Sequence, residues 1–191
     1  MRHSHLDGLS VVALLLLFFM GYQILGSKSQ PAVALQAEPI IINPEPGEDK
    51  SSDVDPTAFS APYEDYILTQ GLHGFSYGHM AIDLASGKNI PILSPIFGVV
   101  TALFTDQYGN PTLVIENEVY QVTLLHGNYS VSVGEVVSLG YTIGYESNQG
   151  YTTDYAGNPC YGRDGCGFHT HLNVFDKRIS SNVNPLDLIN R

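Results

Sequence analysis

Two short groupings of histidine and aspartate contain the residues that could do chemistry: His79-Met-Ala-Ile-Asp83 and His169-Thr-His171. On an extended strand, residues i and i+2 face the same side, as do residues i and i+4, so each grouping can aim both side chains at one point. Imidazole nitrogens and carboxylate oxygens are ordinary Zn²⁺ ligands, and an open catalytic zinc site uses three protein ligands plus water. The spacing therefore indicates a zinc site, and it leaves open which three of the four residues bind.

Two further histidines lie close to these groupings in the sequence and could belong to the same site. His126 is a fifth candidate between the two groupings, whereas His73 precedes the first grouping and is followed by Gly74. A single histidine on a strand is usually a hydrogen-bonded core or surface residue, and an HxH pair alone often occurs by chance. We expect His73 to be a surface residue in a turn, and the alternative is that it approaches the site.

The elements that must position these residues are short β-strands. From about Gly71 onward, Val-, Ile-, Thr- and Tyr-rich runs alternate with Gly, Asn and Pro; the runs are IPILSP, GVVTALF, PTLVIEN, YQVTLLHG, VSVGEVV and YTIGY. No stretch after residue 26 keeps a helical period. We predict a mainly β fold over residues 66–191, an antiparallel β-sheet domain with a groove flanked by long loops. The longest loop, residues 147–168, is rich in Gly and Tyr.

The residues ahead of this domain have a different composition. The apolar run Leu9–Leu25 predicts a helix that is a signal peptide or membrane anchor within residues 1–25. The run is slightly shorter than the ~20 residues of a comfortable membrane span, and a small-x-small cleavage site, Ala32-Val33-Ala34, lies well downstream. Residues 26–65 are acidic and Pro-rich and predict a disordered linker. We expect the domain to lie outside the cytoplasm, either secreted or held to the membrane by an uncleaved N-terminal segment.

The charge excludes one class of partner. The chain has 8 Lys and Arg against 19 Asp and Glu, a formal net charge of −11. A nucleic-acid-binding protein normally presents a basic face, so we expect no nucleic-acid partner. Much of the acidity lies in residues 38–65, which contain eight acidic residues and a single basic residue, Lys50. Such a segment is typical of a solvated spacer, and the alternative is that residues 26–65 fold over the groove and mask the zinc.

The two cysteines of the chain, Cys160 and Cys166, both lie in the long loop. In an oxidising, exported setting an even count suggests a disulfide, which would hold the shape of the loop above the groove. The competing interpretation is a zinc cluster with the nearby HxH pair, although structural zinc sites favour shorter Cys spacings. Three tyrosines of the same loop are candidates to line a substrate groove: Tyr151, Tyr155 and Tyr161.

Four ordered motifs between about residue 70 and residue 188 resemble those of one protein family. The stretch GHMAID (78–83), followed by PIFGVV (95–100), is similar to the opening motif of the LytM/lysostaphin-type (M23) zinc metallopeptidases. The middle of the chain, with LLHG, VGEVV and GYTIG, resembles the central block of that family. FHTHLN (168–173) resembles its terminal HLHFE-like motif, and NPL (184–186) its closing motif.

The resemblance implies a function and a role for each site residue. It implies one Zn²⁺ per chain held by His79, Asp83 and His171, with His126 and His169 as catalytic residues. The implied activity is an exported zinc endopeptidase that hydrolyses peptide bonds in the stems or cross-links of peptidoglycan. Zinc-activated water would attack the peptide carbonyl with the help of the two catalytic histidines.

The sequence departs from the family pattern at a few positions beside these residues. Ala81 stands where the family often has Gly, Thr170 replaces the usual Leu, and Asn173-Val174 replaces Phe-Glu. All five chemistry-bearing residues are present, which argues against a degenerate member that has lost ligands. Two alternatives remain open: a non-catalytic wall-binding or amidase-activating module, and a zinc peptidase that acts on a protein substrate.

Overall fold

The computed structural model describes residues 54–189, so the predicted apolar helix and the first 28 residues of the predicted linker lie outside the described part of the chain. The described strands are β1 Ile67–His73, β2 Ala81–Ala85, β3 Pro91–Leu93, β4 Gly98–Thr105, β5 Pro111–Glu116, β6 Tyr120–Leu125, β7 Asn128–Tyr129, β8 Val136–Val137, β9 Thr142–Tyr145, β10 Thr170–Asp176 and β11 Ser181–Val183. A single 3₁₀ turn, Phe75–Tyr77, and a short helix α1, Leu186–Ile189, complete the described elements. Within residues 54–189, neither helical element is long and apolar enough to cross a membrane.

The strands form one large and one small antiparallel sheet. The large sheet has the order β1-β2-β10-β6-β5-β4-β8, and β11 pairs with the second half of β10. The small sheet has the order β3-β9-β7. Every strand pair is antiparallel, which confirms the predicted fold class for the described residues.

The two faces of the large sheet have different roles because side chains alternate along each strand. On β6, Val122 and Leu124 are fully buried in the hydrophobic core. Thr123, between them, and Leu125, after them, line a groove on the other side of the sheet. The same alternation holds on β2, where Ile82 and Leu84 are core residues. Asp83 between them therefore belongs to the groove face.

The core also includes residues from the small sheet and from the segment before β1. Ile92 of β3 and Ile143 of β9 are fully buried in the same cluster. Tyr63 is 3% exposed, and its hydroxyl shares a 2.5 Å hydrogen bond with Oγ1 of Thr170 at the start of β10. The end of the predicted linker thus contributes to the core of the folded domain.

The long loop between β9 and β10 is closed by the predicted disulfide. Cys160 and Cys166 are bonded, with their Cα atoms 5.3 Å apart. The buried Asn148 side chain supports the same turn, because its Nδ2 donates to the carbonyl oxygens of Cys160, Arg163 and Cys166 at 2.8–2.9 Å. The alternative zinc cluster is not formed, since both sulfur atoms are used in the disulfide.

The basic side chains of the described region are all neutralised locally. Each of the four lysines and arginines within residues 54–189 contacts a carboxylate: Lys88 with Asp164, Arg163 with Asp154, Lys177 with Glu116, and Arg178 with Asp176. The surface of this part of the chain therefore has acidic groups in excess and its positive groups already paired.

Candidate active site

A groove of about 840 Å³ runs over the outer face of the large sheet. Its floor includes Val114 of β5 and Thr123 of β6, and aromatic side chains such as Phe104 and Tyr108 stand beside them. Six potential chemistry-bearing residues line it: His73, His79, Asp83, His126, His169 and His171. The structure thus brings together all five residues that the sequence analysis assigned to the site, and it adds His73.

Strand register assembles the centre of this site. Asp83 on β2 lies directly opposite His171 on β10, and His171 lies opposite Leu125 on β6. His126 follows Leu125 at the end of β6, so three neighbouring strands deliver one site residue each. A one-residue shift of β10 would turn His171 to the core face, because side chains alternate along a strand.

His73 and His79 come together through a tight turn between β1 and β2. The turn is flanked by two glycines with left-handed backbone, Gly74 with φ of 84° and Gly78 with φ of 78°. A Cβ atom at Gly74 would lie 2.9 Å from Cβ of His79, so a larger residue there would displace that histidine. The expectation that His73 is a surface residue in a turn is wrong: it ends β1, and its side chain is only 21% exposed.

Three donor atoms in the site face one another. Nε2 of His73 lies 3.1 Å from Nδ1 of His171 and 3.3 Å from Oδ1 of Asp83, and the latter two atoms are 3.2 Å apart. Asp83 Oδ1 is buried and has no hydrogen-bond partner. Imidazole nitrogens around an unpartnered carboxylate oxygen are a donor set that suits Zn²⁺. The residues present therefore fit a metal ion.

Asp83 is held in its charged form, as a metal ligand requires. Burial alone would raise the pKa of the Asp83 carboxyl, but the surrounding histidines His171, His169 and His73 outweigh it and bring that pKa below its ordinary value. Nε2 of His169 lies 3.6 Å from Asp83 Oδ2.

His79 contacts the other side of His171. Its Nδ1 lies 3.0 Å from Nε2 of His171, the nitrogen that points away from Asp83. Burial, together with the neighbouring His171 and His73, lowers the pKa of His79 to about 4. His79 is therefore neutral at neutral pH and able to accept a hydrogen bond or bind a metal.

His126 and His169 are both fixed as neutral side chains with one free nitrogen. Nδ1 of His126 donates to the carbonyl oxygen of Gln149 at 2.8 Å, and Nδ1 of His169 donates to that of Gly167 at 3.0 Å. Because a carbonyl only accepts, each Nδ1 carries the proton and each Nε2 has a free lone pair. Burial is the main cause that lowers the pKa of His126 to about 3, and it also lowers the pKa of His169. The two rings lie 4.6 Å apart between centroids.

The backbone of His126 explains how its ring reaches the groove. Its φ of 71° is in the left-handed region, which is uncommon for a residue other than glycine. Such a conformation persists only where the surroundings hold it, and it is enriched at functional sites. Here the His126 amide donates to the Pro111 carbonyl at 3.0 Å, and its carbonyl accepts from the Ser147 hydroxyl.

The tyrosines of the long loop are not all placed in the groove. Tyr151 lines it, whereas Tyr155 and Tyr161 are exposed and do not belong to its lining. Two tyrosines outside that loop do line it, Tyr77 and Tyr108, with ring centroids 6.0 Å apart. Sequence reasoning missed them, because Tyr is common in surface turns and only the fold brings these two together.

Comparison with known proteins gives a fold but no close relative. No protein-family model and no curated protein matches the sequence. Solved structures do match: a zinc-containing peptidase from Vibrio cholerae (25% identity, TM-score 0.54, 68% of this chain and 39% of that chain) and LytU (26% identity, TM-score 0.51, 67% and 87%). The antimicrobial peptidase lysostaphin from Staphylococcus simulans also matches, with 17% identity, a TM-score of 0.51, and coverage of 70% of this chain and 53% of that chain.

These matches confirm the resemblance at the level of the fold. The described domain has the fold of the LytM/lysostaphin-type (M23) metallopeptidases. The chain spans about half of the lysostaphin chain and less than half of the Vibrio cholerae peptidase. The activity, substrate and partners of the chain are therefore matters for proposal.

Proposed function

We propose that the chain is an exported zinc-dependent endopeptidase that hydrolyses peptide bonds in the stems or cross-links of peptidoglycan. The observation that carries this proposal is the convergence, on the groove face of an M23-type fold, of an unpartnered carboxylate oxygen with several neutral imidazoles. Two of the matched structures are described as peptidases, one of them as zinc-containing. Export agrees with the disulfide in the long loop, since disulfides persist in oxidising compartments.

The metal would be held by Asp83, His171 and a further imidazole, which the resemblance assigns to His79. Bound there, Zn²⁺ supplies a Lewis acid that polarises a scissile carbonyl and lowers the pKa of bound water to about 7. The protein's own contribution begins with the neutral state of His79, because a protonated nitrogen cannot bind a metal. It continues with burial of the Asp83 carboxylate, which is 6% exposed and so keeps little contact with competing solvent.

His126 and His169 are suited to move protons during peptide hydrolysis. Both present an unprotonated Nε2 at neutral pH, so either can accept the proton of an attacking water. His169 is the better holder of that proton, because its Nε2 lies 3.6 Å from Asp83 Oδ2 and an adjacent carboxylate favours the imidazolium. From there the proton can pass to the amine that leaves when the peptide bond breaks.

The groove itself suits an extended peptide better than an anionic polymer. Aromatic and small side chains line it, including Tyr77, Phe104 and Thr123. Within residues 54–189 no lysine or arginine belongs to its lining, and each of them is already paired with a carboxylate. A substrate segment would therefore be recognised through backbone hydrogen bonds and apolar contacts rather than through a negative charge.

The test is digestion of purified peptidoglycan by the full-length, zinc-loaded chain, with released fragments identified by mass spectrometry. We expect defined peptide fragments, and His126→Ala should lower their rate of release by about 10²–10⁴-fold, the usual range for loss of a general acid or base. Tyr141→Phe, at an exposed position outside the groove lining, is the matched control and should act like the wild type.

Two outcomes would contradict the proposal in different ways. Bound zinc without any peptide release would overturn the peptidoglycan substrate and favour the alternative of a protein substrate, which an unstructured protein digested in parallel would reveal. Absence of both zinc binding and peptide release would overturn the enzyme and leave a wall-binding module. Equal release by the wild type and by His126→Ala would remove His126 from catalysis.

A further inference from the structure

The turn between β4 and β5 and one turn of the long loop have the same sequence pattern, Asp-x-x-Gly-Asn-Pro, at residues 106–111 and 154–159. The two turns also have the same hydrogen bonds. In each turn the Asp amide donates to the Asn carbonyl at 2.9–3.0 Å, and the Asp carboxylate accepts from the amide and from the side chain of the Asn. The chain therefore contains two copies of one turn, which can be compared with each other.

Of these two turns, the first uses its asparagine to hold a second segment. Asn110 is 7% exposed and lines the groove, and its Nδ2 donates to Asp106 Oδ2 at 2.8 Å. Its Oδ1 accepts from the Tyr151 amide at 2.7 Å. Asn158 is exposed, and within residues 54–189 its side chain is bonded only to the aspartate of its own turn. The Asn110 side chain thus connects two loops at the wall of the groove.

Glycine at position 150 allows the long loop to approach Asn110 this closely. The φ of Gly150 is 83°, in the left-handed region, and a Cβ atom there would lie 2.4 Å from Asn110 Oδ1 and 2.6 Å from Asn110 Cα. A larger residue at position 150 would push the two loops apart. The contact therefore depends on a particular residue type on each side.

The residues beside this contact are the ones that hold His126. Pro111 follows Asn110 directly, and its carbonyl accepts from the His126 amide at 3.0 Å. Gln149 precedes Tyr151 by two residues, and its carbonyl accepts from His126 Nδ1 at 2.8 Å. Because that carbonyl selects the tautomer with the proton on Nδ1, the position of the loop backbone determines whether Nε2 of His126 has a free lone pair.

We propose that Asn110 is a positioning residue for His126: its side chain holds the long loop so that the Gln149 carbonyl keeps the His126 ring in the tautomer that accepts a proton. The same contact fixes the backbone of Tyr151, whose side chain lines the groove. The inference rests on the proposed function in taking His126 to be a proton-transfer residue. Asn158, in the matching turn, has no such role.

The first test determines the tautomer of His126 without any substrate, in the full-length, zinc-loaded chain labelled with nitrogen-15 histidine. Nitrogen NMR of the wild type should show a protonated Nδ1 and an unprotonated Nε2 at neutral pH, with the signals assigned from His126→Ala. We expect Asn110→Ala to introduce the form protonated at Nε2. Asn158→Ala removes the same side chain from the matching turn and should keep the wild-type spectrum. An unchanged His126 tautomer in Asn110→Ala would overturn the proposal.

The second test measures apparent kcat and KM for peptide release from purified peptidoglycan. We expect Asn110→Ala to lower kcat by about 10–100-fold, because a misplacement of about 1 Å can cost about 10²-fold, and to raise KM through the displaced Tyr151. Asn158→Ala should have wild-type values. In a His126→Ala background, Asn110→Ala should not lower kcat further, because a residue that acts through His126 then has nothing left to position. A further loss of equal size would overturn the proposal, since Asn110 would then act independently of His126.

Exchange of the two polar side chains of the turn separates the hydrogen bond from the fold. Asn110→Asp places two carboxylates side by side and should lower kcat as Asn110→Ala does. Addition of Asp106→Asn restores a donor facing an acceptor and leaves an oxygen for the Tyr151 amide, so the double variant should recover both kcat and the His126 tautomer. This pair also serves if Asn110→Ala does not fold. No recovery in a double variant that is folded by circular dichroism would overturn the proposal.

Failure of this proposal is distinguishable from failure of the proposed function. No peptide release by the wild type would overturn the endopeptidase, whereas the His126 tautomer in Asn110→Ala would still decide whether Asn110 holds that ring. Peptide release by the wild type, together with an unchanged tautomer in Asn110→Ala, would overturn the positioning role alone.

Discussion

At the scale of single residues, the site depends on side chains whose protonation is fixed by backbone contacts and burial. His126 is the clearest example, because its amide, its carbonyl and its Nδ1 each have a hydrogen-bond partner, in Pro111, Ser147 and Gln149 respectively. These contacts hold a left-handed residue in place and leave one ring nitrogen free. Because the folded chain holds His126 as a buried neutral imidazole, the free energy of unfolding depends on pH.

We expect the metal-free chain to lose stability as the pH falls below about 6.5. Burial lowers the pKa of His126 from 6.5 to about 3, so between these values the unfolded chain binds a proton that the folded chain does not. The stabilisation is therefore complete above pH 6.5 and is lost as the pH approaches 3. One such proton corresponds to about 1.4 kcal/mol per pH unit. Urea unfolding at pH 7, 6 and 5 with a chelator present measures this slope.

The matched variant for this measurement is His126→Asn, which keeps a polar side chain but does not titrate. Its stability should fall less steeply with decreasing pH, and the remaining slope comes from His79 and His169, whose pKa values are also lowered. Identical slopes in the variant and the wild type would show that His126 is not buried as a neutral group.

At the scale of elements, the long loop before β10 is an ordered part of the site. The disulfide and the Asn148 side chain close its C-terminal half, and Gly167, at its end, accepts the hydrogen bond from His169. Its ordering therefore contributes to the position of a proposed catalytic residue.

We expect Asn148→Asp to destabilise the chain by at least about 2 kcal/mol. The substitution replaces a donor that serves three carbonyl oxygens with a buried acceptor, and an unsatisfied buried polar group costs about 1–3 kcal/mol, more when charged. Thermal or urea unfolding measures the loss. Asn128→Asp, at an exposed position on β7, is the control and should change stability by less than about 0.5 kcal/mol. Equal stability of the two variants would show that the three contacts do not hold the loop.

At the scale of the whole molecule, the sequence predicts the class of fold and most of the site residues, but not every residue that lines the groove. Strict alternation of side chains on strands such as β6 makes the antiparallel sheet predictable, and the four ordered motifs identify five site residues. His73 was expected in a surface turn, with an approach to the site only as the alternative, and β1 contains two register shifts that hide its placement, between Leu68 and Gln70 and between Gln70 and His73. Each shift breaks the period-2 rule, so the face on which His73 lies follows from the bulges and not from its position in the run.

The placement of the loop tyrosines was unpredictable for a related reason. Tyr151 reaches the groove because its amide is bonded to the Asn110 side chain at 2.7 Å, a contact between residues 41 positions apart. Tyr155 and Tyr161 lie in turns just before glycines with positive φ, Gly157 and Gly162. Composition indicates that such a loop is aromatic, but only long-range contacts decide which of its rings face a groove.

The local pairing of every lysine and arginine in residues 54–189 has a consequence for how this domain would approach a surface. Carboxylates remain in excess, so an anionic polymer repels the domain at distances within the Debye length, about 8 Å at physiological ionic strength. Added salt shortens that range. The encounter with a phosphate-rich or carboxylate-rich matrix should therefore become faster as ionic strength rises, which is the reverse of the behaviour of a protein steered by a basic patch.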